Sequence, residues 1–299
     1  MIRNNLAIII ATKDRPQELR RLLESIETQQ AKPSQVIIVD GGDCSLGDVI
    51  GSYSDLGIDY LNVIPPSLTK QRNAGIRAIR DDISIAAFFD DDITLEKDSL
   101  TNMMKFWENA SPDTAGACFN NMSEPFKKPG LGERIFLVNS CTPGRITRSG
   151  FQSIPCAVDN TMQVDWLIGC AMVYRKSIFR EFIFDEWFYG YARYEDVDFS
   201  YRVGRKYKMF VVSDAKIKHF VKLEKIESSF ALARMEVINR MYFVKKNHDL
   251  SPVLCCWSMF GILVNNVIKS LFGKGARFKF RARGSFSGFA EVLFRINFK

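Results

Sequence analysis

Two short runs with no polar residue in them, Leu6-Ala-Ile-Ile-Ile10 and Val36-Ile-Ile-Val39, constrain the fold more than any other feature of the chain. A strand that is apolar on both sides must be covered on both sides, and that is the pattern of a parallel sheet sandwiched by helices. The sequence between the runs predicts such a covering helix. Pro16 suits a first helical turn, and Leu19, Leu22, Leu23 and Ile26 keep helical spacing. The unit then recurs, with a strand expected over Tyr60–Ile64, a helix over Gln71–Arg80 and a strand over Ile85–Phe89. The first hundred or so residues are therefore predicted to be an α/β half with right-handed crossovers. Ligands of such sheets bind beyond the carboxyl ends of the strands. Polar residues gather there: Thr12 and Asp14 after the first run, Asp40 after the second, and Asp90, Asp91 and Asp92 after the last.

The rest of the chain is organised less regularly. Residues 115–160 are rich in Pro, Gly, Ser and Asn, which predicts loops around a strand or two, shaping a substrate pocket. Gln163–Tyr174 turns apolar again, with Gly169 and Cys170 small enough for a ligand or backbone to approach closely. A helix is expected over Asp196–Arg205, a strand over Met209–Val212 and a long amphipathic helix over Ile226–Lys246. With 299 residues, 46% of them hydrophobic, the chain can bury a large core and should form one domain with an appendage. Seven cysteines, odd in number and without a C-x-x-C pair, signal neither a disulfide framework nor a zinc site, and fit a reducing cytosol. Met1–Asn5 runs straight into the first strand without a signal-peptide layout, so the catalytic part is not expected to be exported.

The net charge of +7 sits in the tail, where Lys269, Lys274, Arg277, Lys279, Arg281, Arg283, Arg295 and Lys299 face the single acid Glu291. Just before it, the apolar run Leu254–Ile268 reads as too short, and too interrupted by Asn265 and Asn266, to span a membrane. An apolar helix followed by a basic, aromatic-rich tail fits a surface lying on an anionic membrane, or equally a helix packed on its own domain with a solvated basic face.

Three adjacent carboxylates at a strand end repel one another unless a cation neutralises them, and Mg2+ or Mn2+ prefers such oxygen ligands. The other reading of Asp90–Asp92 is a turn in which Asp92 caps a helix starting near Thr94. Asp40 can accept from a ribose hydroxyl or a base N–H, or simply form the turn before Gly41-Gly42. Neither G-x-G-x-x-G nor G-x-x-x-x-G-K-[ST] occurs at the required place, which argues against dinucleotide dehydrogenases and P-loop enzymes. Lys70–Gly75 is read as a helix start whose N–H groups and Arg72 face an anion, or as a solvated basic helix start. Glu195 and Asp196 stand at a helix start beside the aromatic run Trp187-Phe-Tyr-Gly-Tyr191, which suits either the helix dipole or a sugar site with a carboxylate base. Asp198 and Arg202 are spaced as a structural pair. His219 is either structural or part of a metal shell, and His248 has no specific role.

Taken together, Ile8-Ile-Ile-Ala-Thr-Lys-Asp-Arg-Pro16, Val36-Ile-Ile-Val-Asp40, Gln71-Arg-Asn-Ala-Gly75, Phe88-Phe-Asp-Asp-Asp92, Ile168-Gly-Cys-Ala-Met-Val-Tyr-Arg175 and Tyr194-Glu-Asp-Val-Asp198 resemble, in order and spacing, the inverting family 2 glycosyltransferases of the GT-A fold. The resemblance covers about residues 6–220. It implies an α/β GT-A domain over residues 1–225, a Rossmann-like nucleotide-binding half fused to an acceptor-binding half; the helical region over 226–299 with its basic amphipathic tail, read above as membrane-associating, resembles membrane-peripheral members in general character only. It implies Thr12 and Asp40 at the base and ribose, Arg72 at the base or diphosphate, and Asp90 and Asp91 at the donor. Asp92, Asp90 and His219 would hold Mn2+ or Mg2+, Asp196 would be the general base, and Glu195 would position the acceptor. The implied reaction moves a sugar from a nucleotide sugar, UDP-linked by preference, to a glycan or lipid-linked acceptor in surface polysaccharide synthesis. The implied place is the cytoplasmic face of a membrane, with no nucleic-acid partner. Two departures stand out: Lys13-Asp14 where the family often has Tyr-Asn, and Gly41-Gly42-Asp43 after Asp40. A sugar-phosphate nucleotidyltransferase would need a Gly-rich loop where Ala11–Pro16 has none. A basic binding module would leave Asp90–Asp92 and Glu195-Asp196 unexplained.

Overall fold

The computed structural model describes residues 5–220, 226, 228–273 and 275–294. In chain order the elements are β1 (Leu6–Thr12), α1 (Pro16–Glu27), β2 (Gln35–Asp40), α2 (Gly47–Gly51), β3 (Ile58–Asn62), α3 (Leu68–Arg77), β4 (Ile85–Asp90), β5 (Ile93–Leu95), α4 (Ser99–Asn109), β6 (Thr114–Asn121), α5 (Leu131–Ile135), β7 (Met162–Gln163), β8 (Ala171–Arg175), α6 (Glu195–Gly204), β9 (Lys208–His219), α7 (Ser229–Lys246), α8 (Pro252–Leu271) and α9 (Ala276–Phe294). The chain divides into two compact units, residues 1–126 with 155–221, and residues 127–154 with 222–299.

The first unit is built on one sheet in the order β3-β2-β1-β4-β8-β6-β9-β5, with β7 paired to β9. Strands β1 to β4 run parallel, as the two-sided apolar runs require. Ile8, Ile10, Val36 and Ile38 feed a core on one face together with Leu19, Leu22, Leu23 and Ile26 of α1. Ala7, Ile9, Ile37 and Val39 feed the core on the other. Full burial of each large aliphatic side chain is worth about 1.5–3 kcal/mol, so the alternation fixes the register of the sheet.

Register also builds the site. Thr12 pairs with Asp40, and Ala11 with Asp90, so the carboxyl ends of β1, β2 and β4 are level. Strand β5 runs antiparallel to β9 with Ile93 opposite His219. That pairing decides between the two readings of the acidic turn: the residues after Asp92 form a strand, and the next helix starts only at Ser99. Helix α3 begins three residues before Gln71, behind Pro65, Pro66 and Ser67, and the Gln71 N–H is already bonded to the Ser67 carbonyl. Gln71–Gly75 therefore lies inside a helix rather than opening one, and of the stretch Lys70–Gly75 only Lys70 belongs to the first turn, which corrects the anion-facing N–H reading for the other five residues. Strand β9 is longer than expected because Ala215 and Ile217 keep alternating with exposed Asp214, Lys216 and Lys218. The i, i+4 pair Arg202–Asp198 closes at 2.9 Å.

The second unit holds α5, α7, α8 and α9 with the loops of 127–154. Phe136 packs on Trp257 at 4.9 Å between ring centroids, and Arg240 lies 3.6 Å over the Phe151 ring. Helix α8 corrects the expectation that the run Leu254–Ile268 is too short to span a membrane: the helix extends over Pro252–Leu271, and its 20 residues pass on length and composition alone. Asn265 and Asn266 do not interrupt it. Of the basic tail, Lys274, Arg295 and Lys299 lie outside the described residues, as do Met1–Asn4 and the 221–225 end of the expected catalytic domain.

Candidate active site

The carboxyl ends of β1, β4 and β9 and the amino end of β5 converge on one cluster of charge. Asp92 Oδ1 lies 3.0 Å from His219 Nε2. The Phe220 N–H donates to the Asp92 carbonyl at 2.8 Å, which ties the end of β9 to the acidic turn. Ligand atoms of Asp90, Asp92 and His219 lie within 4.8 Å of one another. Two carboxylates and an imidazole form a donor set that fits Mg2+ or Mn2+.

Asp91 is not one of that set. It is buried, accepts the Thr12 hydroxyl at 2.7 Å, and takes an N–H from Arg15 at 2.7 Å. The same Arg15 nitrogen reaches Asp92 at 3.0 Å. The sequence reading missed Arg15. Its signal is positional: once β1 is paired with β4, the turn after β1 lies beside the acidic turn, where Arg15 reaches two of its three acids.

Arg72, expected at the base or diphosphate, is 2% exposed and is held on three sides. It donates to Glu195 at 2.9 Å, Asp90 at 3.1 Å and the Gly169 carbonyl at 3.0 Å. Glu195, expected to position an acceptor, is 7% exposed and spent on Arg72. Its neighbour Asp196 keeps partial access to solvent. Asp196 accepts the Gly169 N–H on Oδ2 at 2.9 Å and the Val197 N–H on Oδ1 at 2.8 Å, which locks its carboxylate plane. A Cβ on residue 169 would fall 2.9 Å from Asp196 Oδ2, so the close approach that Gly169 permits is that of a carboxylate.

Asp40 is buried, accepting the Gly42 N–H at 2.8 Å and the Tyr60 hydroxyl at 2.9 Å. The unusual glycine after Gly41 has a steric cause: a Cβ on Gly42 would meet the Asp14 backbone nitrogen at 2.6 Å. Gln71 clips the ends of β1 and β2 together, donating to the carbonyls of Thr12 and Val39. In the aromatic run Phe188 is buried, whereas Trp187, Tyr189 and Tyr191 are exposed. Asn73 anchors the start of that run through the Phe184 carbonyl and N–H and the Glu186 carboxylate.

Proton affinities follow the surroundings. Burial, reinforced by Asp196 and only partly offset by Arg72, pushes Glu195 up to about 8. Burial also raises Asp196 and Asp90, in each case against the pull of Arg72. Asp91 is pushed up to about 6 by burial despite Arg15. Burial alone would raise Asp92 too, but His219 and Arg15 outweigh it and hold this carboxyl low. Burial works against charge on His219, and Asp92 more than reverses it, so the imidazole titrates above its usual range.

A parallel half-sheet with acids at its carboxyl ends, continued by the mixed strands β8, β6 and β9, is the GT-A architecture of glycosyltransferases. The chain belongs to glycosyl transferase family 2, whose model matches residues 7–183. No curated protein sequence matches it. Among solved structures, the mannosyltransferase PcManGT from Pyrobaculum calidifontis, in complex with GDP-Man and Mn2+, is similar with a TM-score of 0.61 at 13% identity, over 97% of this chain and 87% of that one. TarS 1-349 of S. aureus in complex with UDP-GlcNAc is similar with a TM-score of 0.57 at 13% identity, over 96% of this chain and 81% of that one. GalNAc-T7 with UDP, GalNAc and Mn2+ gives 0.56 at 10% identity, over 80% of this chain and 50% of the other. Against the longer S. aureus TarS structure, the match covers 79% of this chain and only 40% of that one.

Proposed function

We propose that the protein transfers a sugar, with inversion, from a nucleoside diphosphate sugar to a hydroxyl of a glycan or lipid-linked acceptor at the cytoplasmic face of a membrane, in the building of surface polysaccharide. UDP is the favoured nucleotide. The observation that carries this reading is Arg72, which bonds both Asp90 of the metal-capable cluster and Glu195 of the acid pair, so that the two halves of the required chemistry form one site. The solved neighbours that hold GDP-Man, UDP-GlcNAc or UDP support a nucleotide-sugar donor.

Asp196 serves as the base. Its plane is fixed by two N–H groups, it reaches solvent, and its raised proton affinity brings it closer to the working pH. It takes the acceptor hydroxyl proton as that oxygen forms its bond to the anomeric carbon from one side. The bond to the phosphate oxygen breaks on the other side, and its electron pair leaves with the nucleoside diphosphate. Asp90, Asp92 and His219 are the residues that would hold Mn2+ or Mg2+. Such an ion, when bound, supplies positive charge for the departing diphosphate. Thr12 and Asp40 lie under the nucleoside end. Arg72 and Glu195 act as a buried strut that keeps Asp90 and Asp196 at fixed separation, and Trp187, Tyr189 and Tyr191 offer ring faces to the acceptor sugar.

The test is a thermal-shift and donor-hydrolysis screen of UDP-, dTDP- and GDP-sugars with Mn2+, Mg2+ or EDTA, followed by NMR of the anomeric configuration of the product. Metal-dependent stabilisation by one nucleotide class and an inverted product are expected. No binding under any metal condition, or retained configuration, would refute the reading.

A further inference from the structure

Helix α8 is inside out. Its buried residues are Cys255, Ser258, Met259, Gly261 and Asn266, mostly small or polar. Its exposed ones include Val253, Trp257, Phe260, Val267, Ile268 and Leu271, recurring at spacings of three and four along one side. A surface helix of a water-bathed unit shows the reverse. Its hairpin partner α9 does the same, burying Gly284, Ser285, Gly288 and Val292 while exposing Phe280, Phe286, Leu293 and Phe294. The interior is close-packed through the small residues. A Cβ on Gly284 would lie 2.2 Å from the Phe230 carbonyl oxygen of α7, and one on Gly288 would lie 2.8 Å from that of Arg234. Between α8 and α9, the buried Asn266 amide approaches the Ser285 hydroxyl at 3.5 Å. Small residues and interhelical polar contacts are how helices associate when the surroundings are as apolar as their own side chains.

Charge supplies an independent observation. Residues 269–299 carry eight bases against one acid, and Lys279 and Arg283 are exposed on α9 next to the outward apolar side chains. We propose that the α8–α9 hairpin docks on an anionic lipid bilayer, with the outward side of α8 and the exposed Phe272 and Phe280 at the headgroup–acyl boundary and Lys279 and Arg283 among the anionic headgroups. This deepens the membrane placement proposed above and is independent of the transfer chemistry. The pair lies in the interface rather than across it. If α8 crossed, the helix packed against it would have to follow, carrying Arg277, Lys279, Arg281, Arg283 and Glu291 into hydrocarbon.

The experiment is flotation of the full chain with phosphatidylcholine vesicles, with and without phosphatidylglycerol, alongside the variants Phe260→Asp/Ile268→Asp and Lys279→Glu/Arg283→Glu. All four positions are exposed or beside exposed residues, and far-UV circular dichroism checks that the helices persist. Wild type should float with the anionic vesicles and shift the Trp257 emission to the blue, a shift absent in Trp257→Phe. The aspartate pair should weaken partition by at least about 100-fold, since two large apolar side chains stay in water. The glutamate pair should weaken it by roughly 5-fold or more per basic charge lost, and flatten its salt dependence. Alkaline carbonate should strip the protein from the vesicles. Flotation that is absent, or indifferent to Phe260→Asp/Ile268→Asp, overturns the proposal. So does resistance to carbonate, which means a spanning helix, or a stable dimer without vesicle binding, which gives this side to a second copy. Donor hydrolysis followed on the same samples separates such a failure from failure of the transferase reading.

Discussion

Glu195 and Asp196 are adjacent in sequence and differ in what surrounds them: one is sunk against Arg72, the other is held by backbone N–H groups with solvent access. Asp196→Asn keeps the shape but cannot take a proton, so turnover should fall by about 10² to 10⁴ while donor affinity stays, as steady-state kinetics and donor titration would report. Gly169→Ala should act through the same carboxylate. Its methyl group would press within 2.9 Å of Oδ2, and we expect turnover to drop at least about 10-fold with donor KM nearly unchanged. The buried neighbour predicts a pH dependence of stability. Glu195 is raised from an ordinary 4.5 to about 8, so between those values the folded chain binds a proton that the unfolded chain has released. Stability contributed by this group therefore falls as pH rises through that window. Urea melts in EDTA should show the fall in wild type, and Glu195→Gln should remove that part of it. At this scale the acids were legible because like charges at a strand end need a chemical reason. The tasks of Arg72 and Arg15 were not, because nothing local tells a base that reaches a ligand from one that props a carboxylate beneath it.

Among the elements, α1 and the parallel strands were readable from periodicity, since burial on both faces leaves no choice of pattern. Where the reading slipped, a backbone device intervened. Pro65-Pro66-Ser67 starts α3 early and turns Gln71, Arg72 and Asn73 inward, converting an expected anion cradle into a row of struts. Asn73 is the most testable of these. Asn73→Ala would leave the buried Phe184 N–H and carbonyl without their partner, costing about 2–4 kcal/mol. Thermal melts should register that loss. Because the aromatic run hangs from the same anchor, acceptor KM should rise more than donor KM.

For the whole molecule, the sequence located the excess charge in the tail but not the company it keeps. Residues 127–154 group with the C-terminal helices through contacts such as Phe136 on Trp257, a pairing across more than a hundred residues that no local pattern announces. Nor did the run 254–268 reveal that its apolar side faces outward, since sidedness appears only once its neighbours are placed. The central claim is that a metal-capable cluster and an acid pair, joined by Arg72, form one donor-binding and base-bearing site. The most direct measurement is calorimetric titration of the donor nucleotide sugar into wild type, Asp92→Ala and Asp196→Asn, each with Mn2+ and with EDTA. The account predicts metal-dependent binding in wild type, its loss in Asp92→Ala, and wild-type affinity in an inactive Asp196→Asn. Donor binding that is untouched by EDTA and by Asp92→Ala, or full turnover in Asp196→Asn, would contradict it.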